Sequence, residues 1–312
     1  MGLDLISRAA TTFNAKGEFD EDAERRFLQR YIDSRLGVFM GSGGSGEGHA
    51  LTWDELKRVY KCGVEACKGK IPVWANPPEQ YTARQTIEHS KLANEMGCEV
   101  VNVYGLAGLH AMKPTEYELK LYFEDVLKAL KFPVSLASQP LVGYNIRPEL
   151  LADLCNRYHQ VVAVNLTGVN DQYFLRLKDA LKRDVGLYVP IPGAAYTLGL
   201  GATGLLGTEA NIIPKTYRRF IDGYESKDIA AMAKAYGEIQ HFLSYVGKWG
   251  SGPTRWIKMC MRVLKLPGGE GGVREPYRMP PDDEMASFTE GLLKTGVPEI
   301  MEMARAAGLK TP

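Results

Sequence analysis

A chain of 312 residues, 45% hydrophobic and 24% charged, has the apolar material for a sizeable globular core. Its formal net charge of +1 gives no electrostatic reason to expect a nucleic acid or an anionic membrane as partner. No apolar run approaches the roughly 18–20 residues of a membrane span, and the opening MGLDLISRAATTF lacks the layout of a signal peptide. The five cysteines (Cys62, Cys67, Cys98, Cys155 and Cys260) are scattered with no C-x-x-C pair. That spacing implies reduced thiols in a cytoplasmic protein, with neither a disulfide nor a zinc cluster.

Short β-rich runs alternate with helix-period segments along the chain. A strand is expected near 3–10, followed by the amphipathic helix DEDAERRFLQRYIDS. The run GVFM at 37–40 leads through a glycine-rich loop to the helix TWDELKRVYKCGVEAC, which Thr52 opens as an N-cap ahead of Asp54 and Glu55 and Gly69 closes. Strand 71–75 precedes the helix TARQTIEHSKLANEM, opened by Thr82 and closed by Gly97. Strands then follow at 99–104, 133–137, 161–165, 186–191 and 203–207, with RPELLADLCNRY as one of the helices between them. Eight strands each followed by a helix predict an α/β fold, a (β/α)8 TIM barrel, over 1–214. An open doubly wound sheet is the alternative, but no G-x-G-x-x-G follows the first strand. Beyond 214 the pattern turns to helix, so 215–312 is expected to form three C-terminal helices packed on the barrel.

A barrel of this kind carries its site at the C-terminal ends of the strands. The residues there are Thr11 and Thr12, the loop Gly41–His49, Asn76, Tyr104, Ser138 and Gln139, Asn165 and Thr167, Pro192, and Glu209 with Asn211. Successive backbone N–H groups in the loop, with Ser42 and Ser45, make a candidate anion seat; a tight turn alone is the plainer explanation. His49 and His110 are the histidines placed to act as general bases. Tyr104 offers a phenol for proton donation or simple packing, and Glu209 is either an acid/base group or an ordinary paired carboxylate. No metal-ligand pattern appears.

Several stretches carry a family resemblance. GVFMGSGGSGEGHALTWDE resembles the G-T-T-G-E-x-x-x-L-T-x-x-E signature of the dihydrodipicolinate synthase and N-acetylneuraminate lyase superfamily. ATTFNAKGEFDEDAERRFLQRYID, GATGLLGTEANIIP and GGVREPYRMP are similar to that family's opening, eighth strand and closing loop. The resemblance implies a cytoplasmic lyase on 2-oxo acids, built as a homo-oligomer (a dimer or a tetramer). It implies Schiff-base chemistry on a lysine ending the sixth strand, with no other cofactor. In VVAVN, however, Asn165 stands at the lysine position, and LASQP puts Ala137 where a proton-shuttling tyrosine is expected. An amide nitrogen is delocalised and forms no iminium. Glu47 and Lys258 resemble structural residues of the family.

The chain is therefore expected to be a divergent lyase or hydratase acting on a 2-oxo acid or related carboxylate without Schiff-base catalysis. Tyr104, Asn165, Glu209 and His49 are its candidate catalytic residues, with Asn165, Tyr104 and Thr167 hydrogen-bonding an enolate. Gly44, Ser45, Ser138 and Thr167 are the candidate substrate contacts. The alternative is a catalytically inactive relative that binds a small carboxylate as a sensor or regulator.

Overall fold

A computed structural model describes residues 2–108, 113–138, 143–250 and 252–311. Eight strands form a closed parallel barrel in chain order: β1 (Asp4–Arg8), β2 (Gly37–Met40), β3 (Val73–Ala75), β4 (Val100–Val103), β5 (Val134–Ser138), β6 (Val161–Leu166), β7 (Gly186–Pro190) and β8 (Gly204–Leu206). The helices up to the eighth strand are α1 (Glu21–Asp33), α2 (Trp53–Cys67), α3 (Ala83–Glu95), α4 (Glu116–Ala129), α5 (Pro148–Arg157), α6 (Asp171–Ala180) and α7 (Ala194–Leu200). Beyond it come α8 (Pro214–Glu225), α9 (Ile229–Val246), α10 (Pro253–Val263), α11 (Asp282–Lys294) and α12 (Pro298–Ala306). The eight-stranded barrel with a helical C-terminal part is the expected architecture.

Local chemistry sets the element boundaries. Thr52 caps α2 in a reciprocal capping box with Glu55, and Thr82 caps α3 through the Gln85 N–H. Gly69 and Gly97, just past the ends of α2 and α3, take φ of +80° and +97°, which only glycine adopts freely. β2 and β4 are buried at every position, as strands covered on both faces must be. The tail holds more helix than its apolar periodicity suggests. Besides the three expected segments, α8 and α12 form, each opened by a proline whose missing N–H costs nothing there.

The chain divides into two compact units. The first combines the residues up to Pro72 with those from Gly207 onward, and holds β1, β2, α1, α2 and α8 to α12. Here α1 packs along α2 and α8 along α9. The second unit is continuous, Val73–Leu206, and carries β3 to β8 with α3 to α7. Gly204 is required in it because a Cβ there would lie 2.4 Å from the Tyr188 ring, which packs on Trp74.

Candidate active site

In the second unit, the apolar strand VVAVNL delivers Asn165 to a buried polar cluster on one face of β4, β5 and β6. Asn102 lies opposite Ser135 in the β4–β5 register, and Ser135 lies opposite Ala163 in β5–β6. Side chains two residues apart on a strand share a face, so Asn165 joins the same row. Its Nδ2 donates to Asn102 Oδ1 at 2.6 Å, with Ser135 Oγ at 3.4 Å. The Ser135 hydroxyl also donates to Asn102 Oδ1, at 2.8 Å, and Asn102 Nδ2 donates to Asn76 Oδ1 at 2.8 Å. All four residues are at most 2% exposed. The chain of bonds ends in two atoms with no partner among the described residues, Asn165 Oδ1 and Asn76 Nδ2. A buried amide group left unpaired costs about 1–3 kcal/mol.

The free atom of Asn165 is therefore a carbonyl oxygen. An acceptor does not hydrogen-bond an enolate, and in this orientation the donating Nδ2 is turned to Asn102. Reversing Asn165 alone would set two carbonyl oxygens 2.6 Å apart. Only a joint reversal of all three amides preserves the network.

Beside this cluster, Ala137 lies opposite Asn165 and Ser138 opposite Leu166, with the Thr167 N–H donating to the Ser138 carbonyl. Ser138 and Thr167 thus sit together. A residue absent from the sequence reading joins them: Tyr173, in the first turn of α6. Its hydroxyl donates to the Ile146 carbonyl at 2.5 Å and lies 3.0 Å from Ser138 Oγ. Burial pushes this phenol up to about 12. Tyr104 follows β4 and is buried; its carbonyl accepts the Tyr122 hydroxyl. A cavity of about 10 Å³, room for one water, is lined by Asn102, Tyr104, Tyr122 and the unpaired hydroxyl of Ser90, among others.

In the first unit the glycine-rich loop is held from several sides. Ser42 Oγ accepts the Gly46 N–H, the Thr11 hydroxyl donates to the Gly46 carbonyl, and the Thr254 hydroxyl donates to the Gly44 carbonyl. A Cβ on Gly46 would stand 2.8 Å from the Ser42 nitrogen, so the loop needs glycine there. Gly44 is exposed, while Ser45 is fully buried and its hydroxyl has no partner among the described residues.

Beneath the loop lies an ionic cluster. Glu47, fully buried with φ of +52°, faces the Lys258 ammonium at 3.1 Å and accepts the Arg274 N–H at 2.7 Å. Lys258 also donates to the Thr11 carbonyl and stands 4.4 Å from the centre of the Phe13 ring. Its desolvation lowers the ammonium's pKa, against the pull of Glu47. Glu24 accepts the Thr12 N–H, and burial raises its carboxyl to about 7. Arg274 pairs with both oxygens of Glu55 and donates to the Ala50 and Gly17 carbonyls, holding Glu55 down at about 2.

The other first-unit candidates fall as follows. His49 is exposed, with Nδ1 2.8 Å from the Gly43 carbonyl, so Nδ1 carries the proton and Nε2 is the basic nitrogen. Glu209 is half-buried in a short 3-10 turn after β8. Burial raises its pKa, although the Tyr217 hydroxyl donates to it at 2.5 Å. Asn211 is structural: it bridges the Ala10 N–H and the Arg8 carbonyl. His110 and Gln139 lie outside the described residues. Among the described residues no group of His, Cys, Asp or Glu could hold a metal ion, and no helix is long and apolar enough to cross a membrane.

The sequence reading passed over Asn102 and Ser135. Their signal was present: a polar residue inside VVNV and another inside PVSLA, each interrupting a buried strand. Buried polar groups are as a rule hydrogen-bonded, so the two atoms this row leaves unpaired set it apart.

The eight parallel strands closed in chain order define the (β/α)8 barrel class. The family model for the dihydrodipicolinate synthetase family matches residues 3–294, and the chain belongs to that family. Among its relatives is a 4-hydroxy-tetrahydrodipicolinate synthase of Stenotrophomonas maltophilia, 29% identical over 78% of this chain and 81% of the relative. A probable 5-dehydro-4-deoxyglucarate dehydratase of Acidovorax ebreus is 28% identical over 94% of both chains. The fold matches that of a prophage protein of the same family from E. coli K12, solved in complex with pyruvate. The TM-score is 0.85 at 20% identity, covering 95% of this chain and 99% of the other. Dihydrodipicolinate synthase DapA-2 of Bacillus anthracis gives 0.84 at 18% identity, covering 94% and 98%. The family thus includes synthases and dehydratases.

Proposed function

We propose that this protein is a lyase of the hydratase or dehydratase kind, acting on a 2-oxo acid or related carboxylate without a Schiff base. The observation that carries the reading is the amide at the end of β6. Asn165 is fixed in a neutral network, and the one buried lysine among the described residues, Lys258, is engaged by Glu47 and the Thr11 carbonyl. The end of β6 thus carries an amide where an iminium would need an amine. The near-complete span of similarity to a dehydratase supports elimination over condensation. In such an elimination a C–H and a C–O bond break and a C=C bond forms; the carbon's proton goes to a base, and the hydroxyl takes a proton from an acid and leaves as water.

Gly44 and the unpaired Ser45 hydroxyl are assigned to the carboxylate, following the usual liking of clustered N–H and O–H donors for anions. Glu209, its carboxyl raised by burial, is assigned as the acid/base group, with His49 as the second candidate. Tyr104, Ser138 and Thr167 are assigned to substrate hydrogen bonding. All five cysteines are free and buried, which supports a cytoplasmic location. A homodimer or homotetramer is proposed from the family resemblance, and light scattering after size exclusion tests it.

The same amide favours one other reading. An unpaired carbonyl at Asn165 stabilises no developing negative charge, which suits a sensor that holds a small carboxylate elsewhere without turning it over. Borohydride reduction in the presence of pyruvate, read by intact mass, is expected to leave the protein unmodified. A covalent adduct would sink the mechanism. Turnover of any acid that raises the melting temperature then separates the enzyme from the sensor.

A further inference from the structure

The two unpaired ends of the amide network define what can complete it. Asn165 Oδ1 calls for a donor and Asn76 Nδ2 for an acceptor. If all three amides reverse together the two requirements exchange, and Asn165 then presents an N–H. An oxyanion fits Asn165 only in the reversed state, and an ammonium only in the state described. A hydroxyl both donates and accepts, so it satisfies Asn165 in either state. The surroundings are also suited to a neutral group. Asn76, Asn102, Ser135 and Asn165 bring four buried polar side chains and no charge to one place.

We infer that Asn165, oriented by Asn102 and Ser135, forms a hydroxyl-binding subsite, and that the substrate is a hydroxylated carboxylic acid rather than a simple 2-oxo acid. The inference rests on the carboxylate reading given above and narrows it. Asn165 is then a specificity residue: its amide contacts a substrate hydroxyl. Asn102 acts through it as a positioning residue, because its Oδ1 already holds the Asn165 N–H and the Ser135 hydroxyl. Discrimination follows from the cost of leaving the buried carbonyl unpaired when an acid without the hydroxyl binds.

Isothermal titration calorimetry on the full chain tests this with matched acids: gluconate against hexanoate, glucarate against adipate, and threonate against butyrate, with pyruvate added. In the wild type at least one hydroxylated acid is expected to bind about tenfold tighter than its deoxygenated partner. That preference should fall to about twofold or less in Asn165→Ala, Asn165→Val and Asn165→Leu. Val is included because β6 already carries it, which guards against misfolding. Equal binding within every wild-type pair overturns the subsite, and so does a preference that survives in the variants. Pyruvate separates the two levels of the proposal. If pyruvate binds and no pair discriminates, the carboxylate reading stands and the hydroxyl subsite falls. If no acid binds, both fall.

Discussion

Each of the two units buries a polar cluster, and the clusters are of opposite kinds. The first unit buries charge: Glu47, Lys258 and Glu24, with Arg274 and Glu55 at the margin. Most bonds there join segments far apart in the chain, and Lys258 and Arg274 hold Glu47 of the glycine-rich loop. The amide cluster of the second unit holds only neutral amides and a hydroxyl, and among the described residues it leaves Asn165 Oδ1 and Asn76 Nδ2 without partners. Buried charges must be compensated or the fold fails, whereas a neutral amide can stand unpaired for a cost of about 1–3 kcal/mol. The ionic cluster is therefore the one expected to carry stability, and the amide cluster the one free to meet a ligand.

That contrast can be broken by substitution. Lys258→Met should be the most damaging change, at about 3–5 kcal/mol, because it strands the Glu47 carboxylate in a fully buried position. Urea unfolding measures it, and adding Glu47→Gln should recover a good part of the loss. If Lys258→Met costs less than a change in the amide cluster, the division of labour between the units is mistaken.

Glu24 sharpens the contrast through pH. Its carboxyl sits near 7 in the folded protein and near 4.5 as a free group, so the folded state holds the proton more tightly. Its contribution is fully present below about 4.5 and is lost as pH rises toward 7. Between those values the wild type should lose up to roughly 3 kcal/mol relative to Glu24→Gln, read from urea midpoints at pH 5 and pH 8. A constant difference between the two proteins would contradict the assignment.

Asn102→Leu comes next. It strands the Asn165 N–H and the Asn76 carbonyl, at about 2 kcal/mol, and should abolish any preference for hydroxylated acids. His49→Ala should be the mildest, under about 1 kcal/mol, since an exposed ring loses one bond to the Gly43 carbonyl. Any loss of turnover larger than that stability change would mark His49 as a participant in the chemistry.

Much of this fold was legible because its signals are local. Caps such as Thr52 and Thr82, glycines past the helix ends, and runs such as GVFM and VVAVN each fix an element without reference to distant residues. Asn165 was legible for the same reason, as a polar residue ending an apolar strand. The direction of its amide was not, because that depends on Asn102 and Ser135, which meet it only through strand register. Tyr173 was missed likewise: its hydroxyl reaches Ser138 and Ile146 from α6, and no spacing within its own segment announces that. Lys258 was expected to be structural from the resemblance alone; its carbonyl and carboxylate partners are supplied by the first fifty residues of the chain.

The discontinuity of the first unit has a consequence for synthesis. By the time Leu206 has left the ribosome, every residue of the second unit is available to fold. The first unit cannot close, because Gly17 and Glu55 must wait for Arg274, which follows them by 257 and 219 residues. At about 5–20 residues per second that wait is on the order of 10–50 s. For that interval the amino-terminal β1–α2 segment is exposed without its carboxy-terminal partners. A nascent chain halted before residue 274 lacks the Arg274 bonds to Gly17 and Glu55, and should be cut faster between those two residues than the full chain.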